Sequence, residues 1–246
     1  MTATTHPLRA EWVKVTTLRP LWTTPLLAAV LSVGITTAVQ IAYGKVDTSL
    51  TEDPMVGLYY GLNFGQVAVA CLGILLIGQE YATGTVRTSL TAVPDRTRFY
   101  RGKLLIGAGL GLAVGLVTVA GSALATAGTV GLDLGRPGAV RALVAGVLYH
   151  PLLVVLCLGL TTMLRNLTAA MGLLTPMLFL GTTILSALPG LREVAWILPD
   201  RAGLHALRLG ENPDIPIGHT TGLLVMLCWT ALAAYGGLRV LRHKDS

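Results

Sequence analysis

The residues of this chain best equipped for polar chemistry are crowded into one stretch. GQEYATGTVRTSLTAVPDRTRFYRGKLL, residues 78–105, holds Glu80, Arg87, Arg96, Arg98, Arg101 and Lys103. Such groups pair ions and dock surfaces. They do not make or break bonds without a positioned nucleophile, base or metal. The chain contains neither H-E-x-x-H nor G-x-S-x-G, the signatures of a zinc protease and of a hydrolase nucleophile. His150 and His219 fall in different apolar runs, with no carboxylate beside either. Gly44-Lys45 is followed by Val46, and Gly102-Lys103 by Leu104, so no G-x-x-x-x-G-K-[ST] loop cradles a nucleotide.

Composition says what must position that stretch. Of 246 residues, 53% are hydrophobic and only 12% charged, with mean hydropathy +0.68. Soluble domains carry roughly 25% charged residues. The apolar residues come in blocks, and about 20 of them in a row cross ~30 Å of hydrocarbon. Six blocks qualify, at about 21–43, 57–79, 104–130, 142–164, 168–188 and 219–239. Helices are expected because lipid offers the backbone no partners. The chain is read as an all-α integral membrane protein, a single multi-pass transmembrane domain over 1–246, in the cell (plasma) membrane. Since the first apolar run begins only near residue 21, a retained anchor is expected rather than a cleaved leader.

Six spans place both termini on one side, and Lys and Arg choose it. Twelve of the 18 cations lie in 1–20, 80–103, 165–167 and the stretch from Arg239 onward, against four of the 12 acids. Both termini and the 80–103 loop are therefore cytoplasmic, and 189–218 is an external loop. The formal charge of +6 follows from topology, with no nucleic-acid partner required. Cys71, Cys157 and Cys228 sit in three different blocks, as small hydrophobes rather than a disulfide or metal framework.

Within the loop, Thr83 is placed as the cap of a helix beginning near Gly84. Val86, Leu90 and Val93 recur at i, i+4 and i+7, a narrow apolar stripe. Arg87, Thr88 and Thr91 take other faces, and Pro94 ends the element. A second helix starts at Asp95, with Arg98, Arg101 and Lys103 snorkelling beside the bilayer. On periodicity alone, an ordinary positive-inside loop fits equally. In the N-terminal segment Leu8, Trp12 and Val15 share a face, with Glu11 and Arg19 close to it. An interfacial helix and a plain polar tail both remain open there, and Trp12 and Trp22 suit interface anchors.

The stretch QEYATGTVRTSLTAVPDRTRFYRGKLL resembles the cytoplasmic loop of the permease subunits of type-2 ATP-binding-cassette (ABC) transporters. The family's order of an acid, Gly-Thr, Arg, Leu, Pro, Arg and Lys is matched by Glu80, Gly84, Thr85, Arg87, Leu90, Pro94, Arg96 and Lys103. RAEWVKVTTLRPLWTTPLL resembles the family's interfacial opening helix. ILPDRAGLHAL at 197–207 is similar to the segment before the last span in actinobacterial-looking members. The resemblance implies a coupling helix between the second and third spans that docks on a separate ABC ATPase, through Glu80, Tyr81, Gly84, Thr85, Arg87, Leu90, Pro94 and Arg96. It also implies a second permease chain, as homodimer or heterodimer, and export of an amphipathic or hydrophobic substrate such as a drug, peptide or lipid. No cofactor is then bound by this chain, and ATP and Mg belong to the partner.

No Asp, Glu, Lys or Arg falls in the central part of any span. That argues against a proton-coupled carrier or an ion-selective channel. The polar exceptions are Thr36, Thr37, Gln40, Asn63, Gln66, His150, Thr182, Thr183 and Ser186. Such residues glue helices together. The resemblance implies a second role, in which Thr36, Gln40, Tyr60, Asn63, Gln66, Thr182 and Ser186 line a substrate pathway. His150-Pro151 marks a kink with a satisfied imidazole. Gly107, Gly111 and Gly115 recur every four residues, a spacing that permits close helix packing or arises by chance in a chain with 29 glycines. In 189–218, a short helix near 200–209 would put Arg201, His205 and Arg208 on one face. A non-transporting immunity or sensor partner and a membrane-embedded enzyme are the alternative functions.

Overall fold

A computed structural model describes residues 5–43, 55–188, 192–210 and 217–243. Among them every regular element is helical. Helix α1 (Thr5–Thr17) turns at Leu18 into α2 (Arg19–Tyr43), where Pro20 sits in the first turn and its missing N–H costs nothing. Then come α3 (Met55–Thr83), the short α4 (Val86–Ala92), α5 (Arg96–Thr129) and α6 (Ala139–Leu164). Helix α7 (Leu167–Pro176) runs through a π-helical turn (Met177–Gly181) into α8 (Thr182–Ala187). Two short helices, α9 (Arg192–Ala195) and α10 (Pro199–His205), precede α11 (His219–His243).

Five of these helices, α2, α3, α5, α6 and α11, are long and apolar enough to cross a membrane. The expected fifth span, 168–188, is instead interrupted. Pro176 lacks the N–H that would close the helical ladder, and the backbone widens into the π turn directly after it. Helix α5 starts eight residues before its predicted span because Asp95 caps it. Its 34 residues extend about 51 Å at 1.5 Å per residue, well beyond the ~30 Å of a hydrocarbon core.

Helix α3 is the axis of the bundle. Its apolar window is 72% buried, against 22% for α2 and α11. Lipid supplies no hydrophobic drive between helices, so close packing and hydrogen bonds must hold them. Ser32, Thr36 and Gln40 of α2 face Gly57, Gly61 and Gly65 of α3, and a Cβ on any of the three glycines would overlap those side chains. Gly107, Gly111 and Gly115 of α5 pack on α6. A Cβ at Gly111 would stand 2.6 Å from Pro151 Cα, and one at Gly115 2.5 Å from the Val147 carbonyl. Pro151 cannot donate to that carbonyl, which leaves it facing Gly115. Gly159 of α6 meets Ala233 of α11 in the same way.

Candidate functional site

Four charged residues at the α1 end of the bundle, Glu11, Lys14, Glu80 and Lys103, form one connected network. Lys103, on the second turn of α5, is fully buried, and its three ammonium hydrogens have three acceptors. These are Glu80 Oε1 at 2.8 Å, Glu11 Oε2 at 2.9 Å and the Leu76 carbonyl at 3.1 Å. Lys14, half exposed, reaches Glu80 Oε1 at 2.6 Å and Glu11 Oε1 at 3.0 Å. Two acids and two ammonium groups from α1, α3 and α5 thus balance. Burial alone would raise the Glu11 carboxyl, but Lys103 and then Lys14 outweigh it and hold the group below its usual range. Burial pulls Lys14 down, and Glu80 and Glu11 more than offset that, so its ammonium is raised. Glu80 Oε2 is buried with no hydrogen-bond partner among the described residues.

Two expectations change here. Lys103 does not snorkel, because its partners lie inward and a lone ammonium would be costly to desolvate. The buried face of α1 is carried by Glu11 and Val15, while Trp12 is 53% exposed. Trp12 and Val15 therefore do not share a buried face, and Leu8 is among the side chains not described. Trp12 and Trp22 both stand half exposed on the outer surface.

Beyond the network the chain turns at Gly84, whose φ of +71° suits a residue without Cβ, and enters α4. Val86 is buried and Leu90 and Val93 pack against the core, as the stripe predicts. Arg87, Thr88 and Thr91 are exposed on the other faces. Thr83 does not cap this helix. It ends α3, bonding back to the Gln79 carbonyl at 2.8 Å and pairing with the Thr85 hydroxyl at 2.9 Å. After Pro94, Asp95 Oδ1 accepts from the N–H groups of Thr97 (2.9 Å) and Arg98 (3.2 Å) and so caps α5. Those bonds, the Arg98 N–H foremost, lower its pKa.

The eight expected docking residues consequently occupy different environments. Gly84, Thr85, Arg87 and Pro94 are exposed, Tyr81 and Leu90 half-buried, and Glu80 buried in the ion network. The Arg165 guanidinium lies 5.9 Å from the centre of the Tyr81 ring. Arg96 donates to the Leu241 carbonyl at 2.7 Å, and Arg242 answers with a 2.6 Å bond to Thr97 Oγ1. The loop is thereby clamped to the end of α11.

The expected pathway residues separate as well. Thr36 lies 3.3 Å from Ser122 Oγ, and Gln40 donates to Thr126 Oγ1 at 2.7 Å and accepts from Thr129 Oγ1 at 3.0 Å. Both are buried between α2 and α5. Gln66 is buried elsewhere, bonded to Asn63 (2.9 Å), to the Leu178 carbonyl of the π turn (3.3 Å) and to the Tyr149 hydroxyl. Tyr60 is exposed. Thr182 and Ser186 lie on α8, with side chains outside those described. His150 is satisfied, its Nδ1 2.9 Å from the Gly146 carbonyl and its Nε2 3.1 Å from Thr118 Oγ1.

Helix α10 packs on α11, and the expected shared face of Arg201, His205 and Arg208 does not form. His205 is buried and stacks on His219, ring centres 4.8 Å apart, whereas Arg201 lies over Trp196 at 5.2 Å. Arg141, at the start of α6, donates to the carbonyls of Ala206 and Arg208, each at 2.6 Å.

Sequence reasoning missed Glu11 and Lys14 as partners of Glu80. The available signal was their i, i+3 spacing with opposite charge, next to an acid and a base at the ends of two apolar blocks. No family model and no curated protein sequence matches the chain. Its own geometry therefore stands as the evidence: an all-helical chain, among the described residues, whose five apolar helices fit a transmembrane protein.

Proposed function

We propose that this chain is the membrane-spanning permease subunit of an ABC exporter, powered by a separate ATPase that carries the ATP and Mg. Helix α4 is its coupling helix, and a second permease chain completes the pathway for an amphipathic or hydrophobic substrate. The observation that carries this reading is the seating of α4. The helix exposes Arg87 and Thr91, while Thr85 and Ser89 at its base line a cavity shared with Glu11, Lys14 and Glu80 of the ion network that joins α1, α3 and α5. Residues 167–187, taken through the π turn, are about as many as a span needs. Counting them as the fifth of six spans puts both termini on one side, and the excess of Lys and Arg there makes that side the cytoplasm.

Co-purification with an ABC ATPase from the same genome tests the reading. Arg87→Ala should leave detergent melting unchanged and lower ATPase capture and permease-stimulated hydrolysis at least fivefold. Glu80→Ala is the contrasting variant, since losing a buried network member destabilises the fold rather than the docking face. If Arg87→Ala and Thr88→Glu both retain full capture and stimulation, α4 is not the coupling helix. If no ATPase binds the wild-type chain, the permease reading fails.

A further inference from the structure

A groove of about 260 Å³ is set between the last third of α6, helix α7 with its π turn, the middle of α11 and the segment entering α10. Leu156, Cys157, Leu174 and Leu178 are its buried floor, while Met163, Leu173, Met177 and Trp229 are its exposed rim. We infer that the groove holds one acyl chain of a membrane phospholipid. The inference rests on these helices crossing a bilayer and not on the permease reading.

Three observations name that occupant. First, every lining residue is apolar, and the one strong donor among them, Trp229 Nε1, already binds the Ile197 carbonyl at 2.9 Å. A buried water needs about two to four polar partners. The lining side chains offer none, so the groove suits hydrocarbon and neither water nor a polar ligand. Second, the groove lies at hydrocarbon depth and opens outward. Helices α6 and α11 are long and apolar enough to cross a membrane. Trp229 stands about 15 Å along α11 from His219, near the middle of a ~30 Å core. From Leu156 to Leu164 the lining follows α6 for about 12 Å, to the end of that helix. An acyl chain runs in the same direction, between the bilayer centre and one face. Third, the volume is about nine times the ~30 Å³ share of one water in the liquid, far above the voids that protein interiors leave empty. It is also below the roughly 300–1,000 Å³ of drug-sized pockets, which favours a slender chain. Because the floor is sunk beneath the rim, a flat helix face of another protein would leave it unfilled.

The test reconstitutes the full chain in phosphatidylcholine vesicles holding a trace of phosphatidylcholine with a diazirine on its acyl chain. After illumination, labelled residues are mapped by mass spectrometry. Lipid around the protein marks exposed residues such as Leu173, whereas Cys157, fully buried on the floor, is reached by a chain inside the groove. The expected result is label on Cys157 as well as on the rim. Leu160→Trp, which fills the groove from its α6 wall, should abolish the label on Cys157 and keep it on the outer surfaces. The wild-type protein is also compared in vesicles of straight-chain and of methyl-branched phytanoyl lipid. Straight bulk chains compete for the groove and branched ones do not. Cys157 label should therefore be roughly tenfold weaker in the straight-chain vesicles, the discrimination that one extra carbon commands in an apolar pocket, with outer-surface label equal in both. An unlabelled Cys157 beside labelled outer surfaces overturns the inference, as does equal Cys157 label in the two kinds of vesicle. A Met177→Cys cross-link between two copies, with Cys157 unlabelled, also overturns it and gives the groove to a second copy. The wild-type comparison decides the matter even where Leu160→Trp fails to fold.

Discussion

Lys103 Nζ lies 2.8 Å from Glu80 Oε1, joining the second turn of α5 to the last turn of α3 inside the protein. Both residues belong by sequence to a solvated, cation-rich loop. The structure turns them inward and adds Glu11 and Lys14 from a helix nearly seventy positions earlier than Glu80 in the chain, so the base of the loop is a closed electrostatic unit.

Removing Lys103 strands two buried carboxylates on one remaining ammonium. Lys103→Met should therefore cost about 3–5 kcal/mol of stability, read as a large drop in the detergent melting midpoint. Lys14→Met, at a half-exposed position, should cost about 1 kcal/mol or less. Equal losses from the two variants would mean that the pair inside the bundle is no stronger than a surface contact.

The α2–α3 seam makes a prediction of opposite signs at two glycines. Gly61→Ala pushes a methyl into Thr36 and Ser32 and should destabilise by about 1–3 kcal/mol. Gly34, on the same α2, has nothing within 4 Å of a built Cβ. Gly34→Ala should be neutral or stabilising by up to about 1 kcal/mol, because alanine is the better helix former. Thermal unfolding of the two variants side by side checks both signs.

Arg96 holds the carbonyls at the end of α11. Arg96→Ala should raise amide hydrogen exchange in the last turn of α11 roughly fivefold, consistent with loss of about 1 kcal/mol, with little change in α2 or α3. Unaltered exchange there would show that the helix end needs no clamp.

Burial, with His219 and then Arg208 and Arg141 adding, pushes His205 down to about 4. The unfolded chain titrates near 6.5 and so binds more protons than the folded one between those values. Docking of α10 is fully stabilised above pH ~6.5 and loses on the order of 1–2 kcal/mol as pH falls toward 4. Melting at pH 7.5 and pH 4.5 should show this loss, and His205→Phe should shrink it.

The sequence by itself determined the class of the protein and most of its helices. Apolar blocks longer than a bilayer is thick admit one solution, a helix that satisfies its own backbone, and α2, α3, α5, α6 and α11 follow from that. Local chemistry was equally legible: Asp95 caps α5, Pro94 ends α4, and Val86, Leu90 and Val93 turn inward, all decided within a few residues. What only the tertiary structure decided are the partnerships. Glu11 spoils the apolar face of α1 when read along one helix, and Lys103 reads as a snorkelling cation. Each becomes a core residue only because the other's helix brings the opposite charge within 3 Å. Gln40 and Thr126 likewise reveal nothing separately. A one-dimensional pattern records how each helix meets water or lipid, whereas the free energy of a buried charge depends on what another helix places beside it.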